Sequence, residues 1–234
     1  MPPRSLLTEA ARSLARRRVL PWIDRAVRPD FAACWTRANR VDGWTGRREA
    51  IALYEAVLQL PSSPVIVEIG SFLGRSSIVM GAACRKRGNG KLYCVDPFDG
   101  SGDGYSKPFY DAIRDRLTRP QLDLFCQNLH DAGVSAWIEV REGTAESVGA
   151  DWSLPIDMLF LDGDHSVRGM RSAYDKFSPS LKVGGVLAVH NSASRDDYEE
   201  NHDGGRRLVL DTVRGPKFAG ERCVGTTTFA TKCG

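Results

Sequence analysis

Several features that define large protein classes are missing from this 234-residue sequence. No segment approaches the roughly 18 consecutive apolar residues that a membrane-spanning helix needs, so we expect no association with a membrane. The formal net charge is only +3, which gives no basis for nucleic-acid binding. An apolar segment followed by a small-residue cleavage site is also missing near the N-terminus, so we expect no secretory signal and a cytoplasmic location.

Cysteine is present, but not at the spacings typical of metal or redox sites. The six cysteines form no CxxC pair and no Cys/His cluster with zinc-like spacing, which favours buried free thiols over a redox or metal role. The glycines at Gly70 and Gly74 depart from the GxGxxG spacing, and no GK[ST] tripeptide follows them. Neither a nicotinamide cofactor nor a nucleoside triphosphate is therefore favoured.

From about residue 43 onward, strand patterns alternate with amphipathic helix patterns. Strands are predicted at about 65–69, 91–95, 136–140, 156–161 and 185–189, and helices at about 49–60, 76–87, 110–128, 145–149, 167–178 and 204–213. Alternation of this kind indicates parallel pairing with right-handed crossovers, and thus an open, doubly wound α/β sheet. A β-rich tail at 223–231 completes the predicted fold.

The first 42 residues are predicted to form a separate N-terminal helical arm, with a catalytic domain at 43–234. Apolar residues recur at helical spacing over about 6–27, with arginines between them, and Pro21 is expected to interrupt the helix. The arm is either a lid over the active site or a packing element for dimerisation. We expect a homodimer or a higher homo-oligomer.

Functional residues are expected directly after the strands, because ligands of open α/β sheets bind outside the carboxyl ends of the strands. The first strand runs into a glycine-containing loop in which Gly70 permits a tight turn. Asp96 ends the second strand, where it either accepts hydrogen bonds from ribose hydroxyls or caps a turn. Thr144 and Ala145 follow the third strand, where they either flank an adenine ring or form a helix cap.

The fourth and fifth predicted strands end in residues that are able to bind a metal ion. Asp162 and His165 follow one strand, and His190 and Asn191 follow the next. Asp162, His190 and Asn191 would supply one carboxylate oxygen, one imidazole nitrogen and one amide oxygen to a divalent cation. Such a cation would lower the pKa of a substrate hydroxyl, and His165 would take its proton. Alternatively, Asp162 and Asp164 cap the following helix, His190 is a structural histidine with satisfied hydrogen bonds at the strand end, and no metal binds.

Four segments of the sequence resemble class I S-adenosylmethionine-dependent methyltransferases, and among them the metal-dependent O-methyltransferases of the catechol and macrolide-sugar type. The segments are VEIGSFLGRSS at 67–77, VDPFDGSGD at 95–103, FLDGDHS at 160–166 and LKVGGVLAVHN at 181–191. The resemblance covers about residues 43–232. It implies a Rossmann-like, mostly parallel seven-stranded sheet with helices on both faces and an antiparallel C-terminal strand.

The resemblance also implies roles for individual residues. The implied cofactor-binding residues are Glu68, Gly70, Ser71 and Ser76 beside the methionine part of S-adenosylmethionine, Asp96 at the ribose, Thr144 and Ala145 at the adenine, and Asp162. The implied metal ligands of Mg²⁺ or Mn²⁺ are Asp162, His190 and Asn191, and Asp162 and His165 are the implied catalytic residues. Relatives often carry aspartate where this chain has the His190-Asn191 pair. That difference implies weaker magnesium binding, a preference for manganese, or loss of metal dependence.

These patterns favour an O-methyltransferase that acts on a hydroxyl of a small molecule, such as a sugar or a secondary metabolite. The first alternative is a methyltransferase of nucleic acid or protein, although the [DN]PP[YF] tetrad of enzymes that methylate exocyclic amines is absent. The second alternative is a metal-independent or non-catalytic protein that binds S-adenosylmethionine.

Overall fold

A computed structural model describes residues 28–194, 196 and 198–234 of the chain. The helix predicted over 6–27 lies outside these residues. The helices are α1 (Pro29–Ala38), α2 (Arg47–Gln59), α3 (Arg75–Arg87), α4 (Lys107–Arg114), α5 (Gln121–Asp131), α6 (Ala145–Ala150), α7 (Val167–Phe177) and α8 (Gly204–Leu208), which continues as a π-helical turn over Val209–Val213. The strands are β1 (Val65–Ile69), β2 (Lys91–Asp96), β3 (Ile138–Glu142), β4 (Ile156–Leu161), β5 (Leu181–Val189), β6 (Phe218–Val224) and β7 (Thr227–Lys232).

The strands form one seven-stranded sheet in the order β3-β2-β1-β4-β5-β7-β6. Strands β1 to β5 pair in parallel, whereas β7 is antiparallel to both of its neighbours. The predicted Rossmann-like, mostly parallel sheet with an antiparallel C-terminal strand is therefore confirmed. The strand order reverses at β1, between β2 and β4, and this is where open α/β sheets bind ligands.

Two layers of helices cover the faces of the sheet. One apolar cluster packs α1, α2 and α3 against the sheet, with Phe31, Leu53 and Ile78 almost completely buried. The other packs α7 and the π-helical turn against the opposite face through Phe177 and Val209. No helix among the described residues is long and apolar enough to cross a membrane.

Helix α1 lies within the predicted N-terminal arm, yet it packs on the catalytic core. Its buried residues include Phe31 and Cys34, and the Phe31 ring lies 5.6 Å from that of Tyr54 on α2. Residues 31, 34, 35 and 38 carry the apolar spacing of one helix face, and Pro29 occupies the first helical turn, where proline is well tolerated. The predictions from sequence include no separate helix here, because the helical pattern followed in the arm ends at about residue 27.

The single helix predicted over 110–128 is wrong. The structure has two helices there, because α4 ends at Arg114 and α5 begins at Gln121, directly after Pro120. Proline lacks the backbone N–H that a continuous helix requires and disfavours helical geometry in the residue before it. The break turns α4 toward the edge of the sheet, where Tyr110 reaches the candidate site.

Candidate active site

Two adjoining cavities open at the edge of the sheet where the parallel strands end. The sheet-edge cavity, of about 270 Å³, is lined by the ends of β1, β2 and β4 and by the turn before α6. The aromatic cavity, of about 180 Å³, has Trp44, Tyr105 and Phe109 in its lining. The residues that line both cavities are Gly70, Phe72, Tyr110 and Asp162. The two cavities therefore meet at a shared wall.

Gly70 joins the ends of β1 and β4 at this wall. Its φ of +87° is a left-handed conformation, and a Cβ atom there would lie only 2.5 Å from the Cα atom of Gly163. The backbone on both sides is fixed, because Gly70 donates to the carbonyl of Val95 and Asp162 donates to the carbonyl of Ile69. Only glycine fits both the torsion angle and the close approach.

Asp96 faces the sheet-edge cavity and also holds the loop that follows β1. Its Oδ2 atom accepts hydrogen bonds from the backbone N–H groups of Ser71 and Phe72, both at 2.8 Å, and its Oδ1 atom accepts one from Phe98. Burial raises the pKa of Asp96, and these N–H donors partly offset the effect. The predicted turn-capping role of Asp96 is therefore present in the structure. The ribose contact stays a prediction, and it would use lone pairs of the carboxylate that these N–H groups do not occupy.

Glu68 lies beneath the same loop and is completely buried. Its carboxylate accepts hydrogen bonds from the hydroxyls of Ser71 at 2.9 Å and Ser76 at 2.5 Å, and from those of Ser77 and the thiol of Cys94. Burial raises its pKa, and the serine donors oppose that shift. Glu68 therefore supports Ser71 and Ser76, which themselves line the aromatic cavity. Its predicted place beside the cofactor would be through these serines.

Thr144 and Ala145 lie in the wall of the sheet-edge cavity, at the start of α6. The Thr144 hydroxyl accepts a hydrogen bond of 3.2 Å from the backbone N–H of Ser147, so this residue caps the helix. The cap and the cavity wall are compatible, because the cap uses the side chain of Thr144 and leaves the small Ala145 facing the cavity. The adenine contact stays a prediction.

Asp162, His165 and His190 meet at the floor of the aromatic cavity, as the adjoining strand ends predict. Asp162 Oδ1 lies 3.6 Å from His165 Nε2 and 3.8 Å from His190 Nε2. Burial raises the pKa of Asp162 to about 7, against the opposing effect of His190. Asp164 and Ser166 perform the predicted capping instead, since Asp164 accepts from the Ser166 N–H and Ser166 caps α7.

His165 is buried and has one unpaired nitrogen. Its Nδ1 atom has no hydrogen-bond partner among the described residues. Burial, together with the nearby imidazoles of His190 and His202, lowers the pKa of His165 to about 3. The ring is therefore neutral and able to accept a proton, but the low pKa makes it a weak base. Its predicted role as general base remains a prediction.

Glu49 is a functional candidate that sequence reasoning missed. It lies on α2, and its Oε1 atom is 3.4 Å from His190 Nδ1. The same oxygen accepts hydrogen bonds from the hydroxyls of Thr226 and Thr227 on the C-terminal side of the chain. Burial would raise the pKa of Glu49, but the His190 imidazole and the other donors lower it to about 2. Burial alone would lower the pKa of His190, but the negative charges of Asp162 and Glu49 have the larger effect, so the pKa is raised.

Asp103 and His202 form a second missed group, beside Asn191. His202 Nδ1 lies 3.2 Å from Asp103 Oδ1, and His202 Nε2 lies 3.0 Å from Asn191 Nδ2. A consistent assignment has Nδ1–H donating to Asp103 and the Asn191 amide donating to Nε2. Burial would raise the pKa of Asp103, but its bonds from His202 and Ser106 lower it. No sequence motif marks His202, because it lies in a loop far from Asp103 in the chain.

The residues predicted to bind a metal ion are neighbours, but their chemistry does not suit magnesium. Across residues 28–194, 196 and 198–234, no group of three or more histidine, cysteine, aspartate or glutamate side chains is arranged to hold a metal ion. The predicted set of Asp162, His190 and Asn191 has a single carboxylate, whereas Mg²⁺ prefers oxygen ligands. The Nδ2 atom of Asn191 is bonded to His202, which leaves its amide oxygen as the only atom it could offer to a cation. The donor set therefore does not fit Mg²⁺.

Aromatic side chains form the outer wall of the aromatic cavity. The rings of Trp44, Phe72 and Tyr110 lie with their centroids 5.1–5.4 Å apart. Tyr105 and Phe109 form a further pair at 5.7 Å. Trp44 is 49% exposed and Phe109 is 50% exposed, so this wall opens to solvent. The cavity thus offers an apolar, aromatic entrance above a polar floor.

Residues 67–192 match a protein-family model described as a methyltransferase domain. Among solved structures, Rv0187 from MTB, determined with its cofactor bound, is 14% identical with a TM-score of 0.64 over 92% of this chain and 95% of that one. TomG from Streptomyces achromogenes, an O-methyltransferase involved in tomaymycin synthesis and solved in complex with SAM, is 16% identical with a TM-score of 0.61 over 92% and 96%. An rRNA methylase from Streptococcus thermophilus is 14% identical with a TM-score of 0.52 over 82% and 100%. These three structures share the fold of this chain.

Proposed function

The chain belongs to this methyltransferase-domain family and is an S-adenosylmethionine-dependent methyltransferase, and on that premise we propose that it methylates a hydroxyl group of a small molecule. The observation that carries the proposal is the wall shared by the two cavities. Gly70 and Asp162 line both, so a cofactor on one side and an acceptor on the other would meet at these residues. A methyl donor and its acceptor must make contact in this way for in-line transfer.

The lining of the sheet-edge cavity supports a place for S-adenosylmethionine. Asp96 would hold the ribose hydroxyls, Thr144 and Ala145 would flank the adenine, and the loop at Gly70 would receive the methionine part. The left-handed Gly70, which no side chain could replace, supports the fit because it leaves backbone exposed at the cavity wall. When bound, the cofactor would supply an electrophilic methyl group for the acceptor oxygen and would leave as S-adenosylhomocysteine, with the electron pair of the C–S bond on sulfur. The proton of the acceptor hydroxyl would pass to Asp162 or His165 at the cavity floor.

The protein contributes orientation and charge to this reaction. The polar floor of Asp162, His165 and His190 would hold the acceptor hydroxyl, since these groups converge on one another within 3.6–3.8 Å. The aromatic wall would exclude water and position the rest of the acceptor. A cavity of about 180 Å³ suits a small acceptor or the terminal group of a larger one.

Isothermal titration of the full chain with S-adenosylmethionine and S-adenosylhomocysteine tests the cofactor part of the proposal. We expect one site per chain. Asp96→Ala should weaken binding at least about tenfold, or about 1.4 kcal/mol, because it removes the ribose contact and the hydrogen bonds that hold the loop after β1. Asp99→Ala, at an exposed aspartate on the loop after β2, is the matched control. No binding by the wild-type protein would overturn the proposal. Screening of hydroxylated small molecules with a radiolabelled methyl donor then tests the acceptor class.

A further inference from the structure

His190 and Asn191 directly follow β5 and, together with Asp162, are the side chains that the sequence predicts as metal ligands. A bound divalent cation is usually balanced by more than one anionic ligand. In this chain, neither His190 nor Asn191 is able to carry a negative charge, and Asp162 is the one carboxylate of the set. The charge available at these three positions is therefore low for a divalent cation.

His190 is held by protein groups on its far side. Its Nδ1 atom lies 3.1 Å from the hydroxyl of Thr227 and 3.4 Å from Glu49 Oε1. Its Nε2 atom points to Asp162 Oδ1 at 3.8 Å. The ring is 2% exposed, so these contacts fix its orientation. The imidazole is thus ordered by Glu49 and Thr227 without a metal ion.

Asn191 is held in a separate network. Its Nδ2 atom bonds His202 Nε2 at 3.0 Å, and His202 is in turn bonded to Asp103 at 3.2 Å. Asp103 also accepts from the backbone N–H groups of Tyr105 and Ser106, which fixes the loop before α4. Both residues after β5 therefore have protein partners that set their side-chain orientation.

We infer that this methyltransferase works without a divalent cation, because the set of Asp162, His190 and Asn191 has a single carboxylate and the Glu49–His190 and Asp103–His202–Asn191 networks order these side chains without a metal ion. The inference rests on the proposed function and concerns the same site. The transfer is the one described above, with the acceptor hydroxyl held by protein groups alone.

Metal binding by the full chain, saturated with S-adenosylhomocysteine, tests the inference directly. In a titration with Mn²⁺ alone, the electron paramagnetic resonance signal of free Mn²⁺ should equal that of a protein-free control. Melting temperature should be unchanged by Mg²⁺ or Mn²⁺. A stoichiometric loss of the Mn²⁺ signal in the wild type, abolished by Asp162→Asn, would overturn the inference.

Two variants provide the positive control. Asn191→Asp is nearly isosteric and adds one carboxylate, and the pair His190→Asp/Asn191→Asp adds two. We expect Mn²⁺ affinity to rise from the wild type to the single and then the double variant, by at least about tenfold per added carboxylate. If the double variant fails to fold, the single variant still decides. If the wild type and Asn191→Asp both bind Mn²⁺ with one ion per chain and with equal affinity, the inference is contradicted.

The cofactor titration separates the two proposals. If S-adenosylhomocysteine binds in the presence of a chelator while Mn²⁺ does not bind, both stand. If the cofactor product binds and Mn²⁺ also binds at Asp162, the inference fails and the proposed function survives. If the cofactor product does not bind in any condition, the proposed function itself fails.

Discussion

Glu49 and His190 contact each other across the edge of the sheet, with 3.4 Å between Oε1 and Nδ1. One residue lies near the start of α2 and the other directly after β5. The carboxylate is buried and receives hydrogen bonds from Thr226 and Thr227 as well, so it joins three separate parts of the chain. The contact therefore couples the stability of the fold to the geometry of the aromatic cavity, which His190 lines.

Replacing Glu49 by glutamine should destabilise the protein by about 1–3 kcal/mol at neutral pH, since buried partners lose a charged acceptor. The pKa of Glu49 is lowered from 4.5 to about 2, so its contribution to stability is present above about pH 4.5 and is lost as the pH falls toward 2. Urea unfolding of wild type and Glu49→Gln across this range should show their difference shrinking. Glu55→Gln is the matched control, because Glu55 is a half-exposed carboxylate on the same helix. A pH-independent difference would contradict this account.

Asp162→Asn should have the opposite pH dependence. Burial raises the pKa of Asp162 from 3.8 to about 7, so its favourable contribution is complete below about pH 4 and is lost as the pH rises through 7. The asparagine variant cannot ionise and should melt at a higher temperature than the wild type at pH 8, with a smaller gain at pH 5. Melting curves measured without added metal would check this. Asp164→Asn, at the exposed neighbour, should keep the wild-type profile.

Gly70→Ala should weaken both the fold and cofactor binding. The new Cβ atom would lie 2.5 Å from the Cα atom of Gly163, and the φ of Gly70, at +87°, is one that alanine rarely adopts. We expect a loss of stability of at least about 2 kcal/mol and no measurable binding of S-adenosylhomocysteine. Gly88→Ala separates strain from contact, because Gly88 has a φ of +70° but open space around its missing Cβ. Comparable losses in the two variants would show that the close approach at Gly70 has no effect of its own.

Trp44→Ala and Tyr110→Ala should affect the two ligands differently. Trp44 lines the aromatic cavity, whereas Tyr110 lines both cavities. Tyr110→Ala should therefore lower the affinity for S-adenosylhomocysteine about tenfold. Trp44→Ala should leave that affinity unchanged and raise only the KM for the acceptor. Calorimetry of both variants tests the first part before any acceptor is known. A loss of cofactor affinity in Trp44→Ala would mean that the two cavities are not divided as described.

The sequence was sufficient to predict that side chains at the ends of neighbouring strands lie close together, because alternating strands and helices indicate parallel pairing. That rule brings Asp162 and His190 together without any knowledge of side-chain packing, and the structure places them 3.8 Å apart. It also places Gly70, Asp96, Thr144 and Ala145 along one cavity.

Glu49, Asp103 and His202 could not be found in the same way. They lie on a helix and two loops, and only tertiary packing brings them to the strand ends. For Glu49 the local sequence gives a second explanation, since it also accepts a hydrogen bond from the backbone N–H of Gly46 at the start of α2. The predicted oligomer, the division at residue 42 and the role of the first 27 residues stay predictions.

Strand β7 has a consequence for how the site is completed during folding. Thr227 lies at the start of that strand, which inserts between β5 and β6, and its hydroxyl donates to Glu49 and lies 3.1 Å from His190 Nδ1, from which it is able to accept. A chain in which β7 has not yet paired lacks the three hydrogen bonds that Thr226 and Thr227 donate to Glu49, and its β5 has an open edge. An open strand edge is a template for pairing with another chain. The pairing of β7 therefore completes the contacts of Glu49 and at the same time protects β5 from association with other chains.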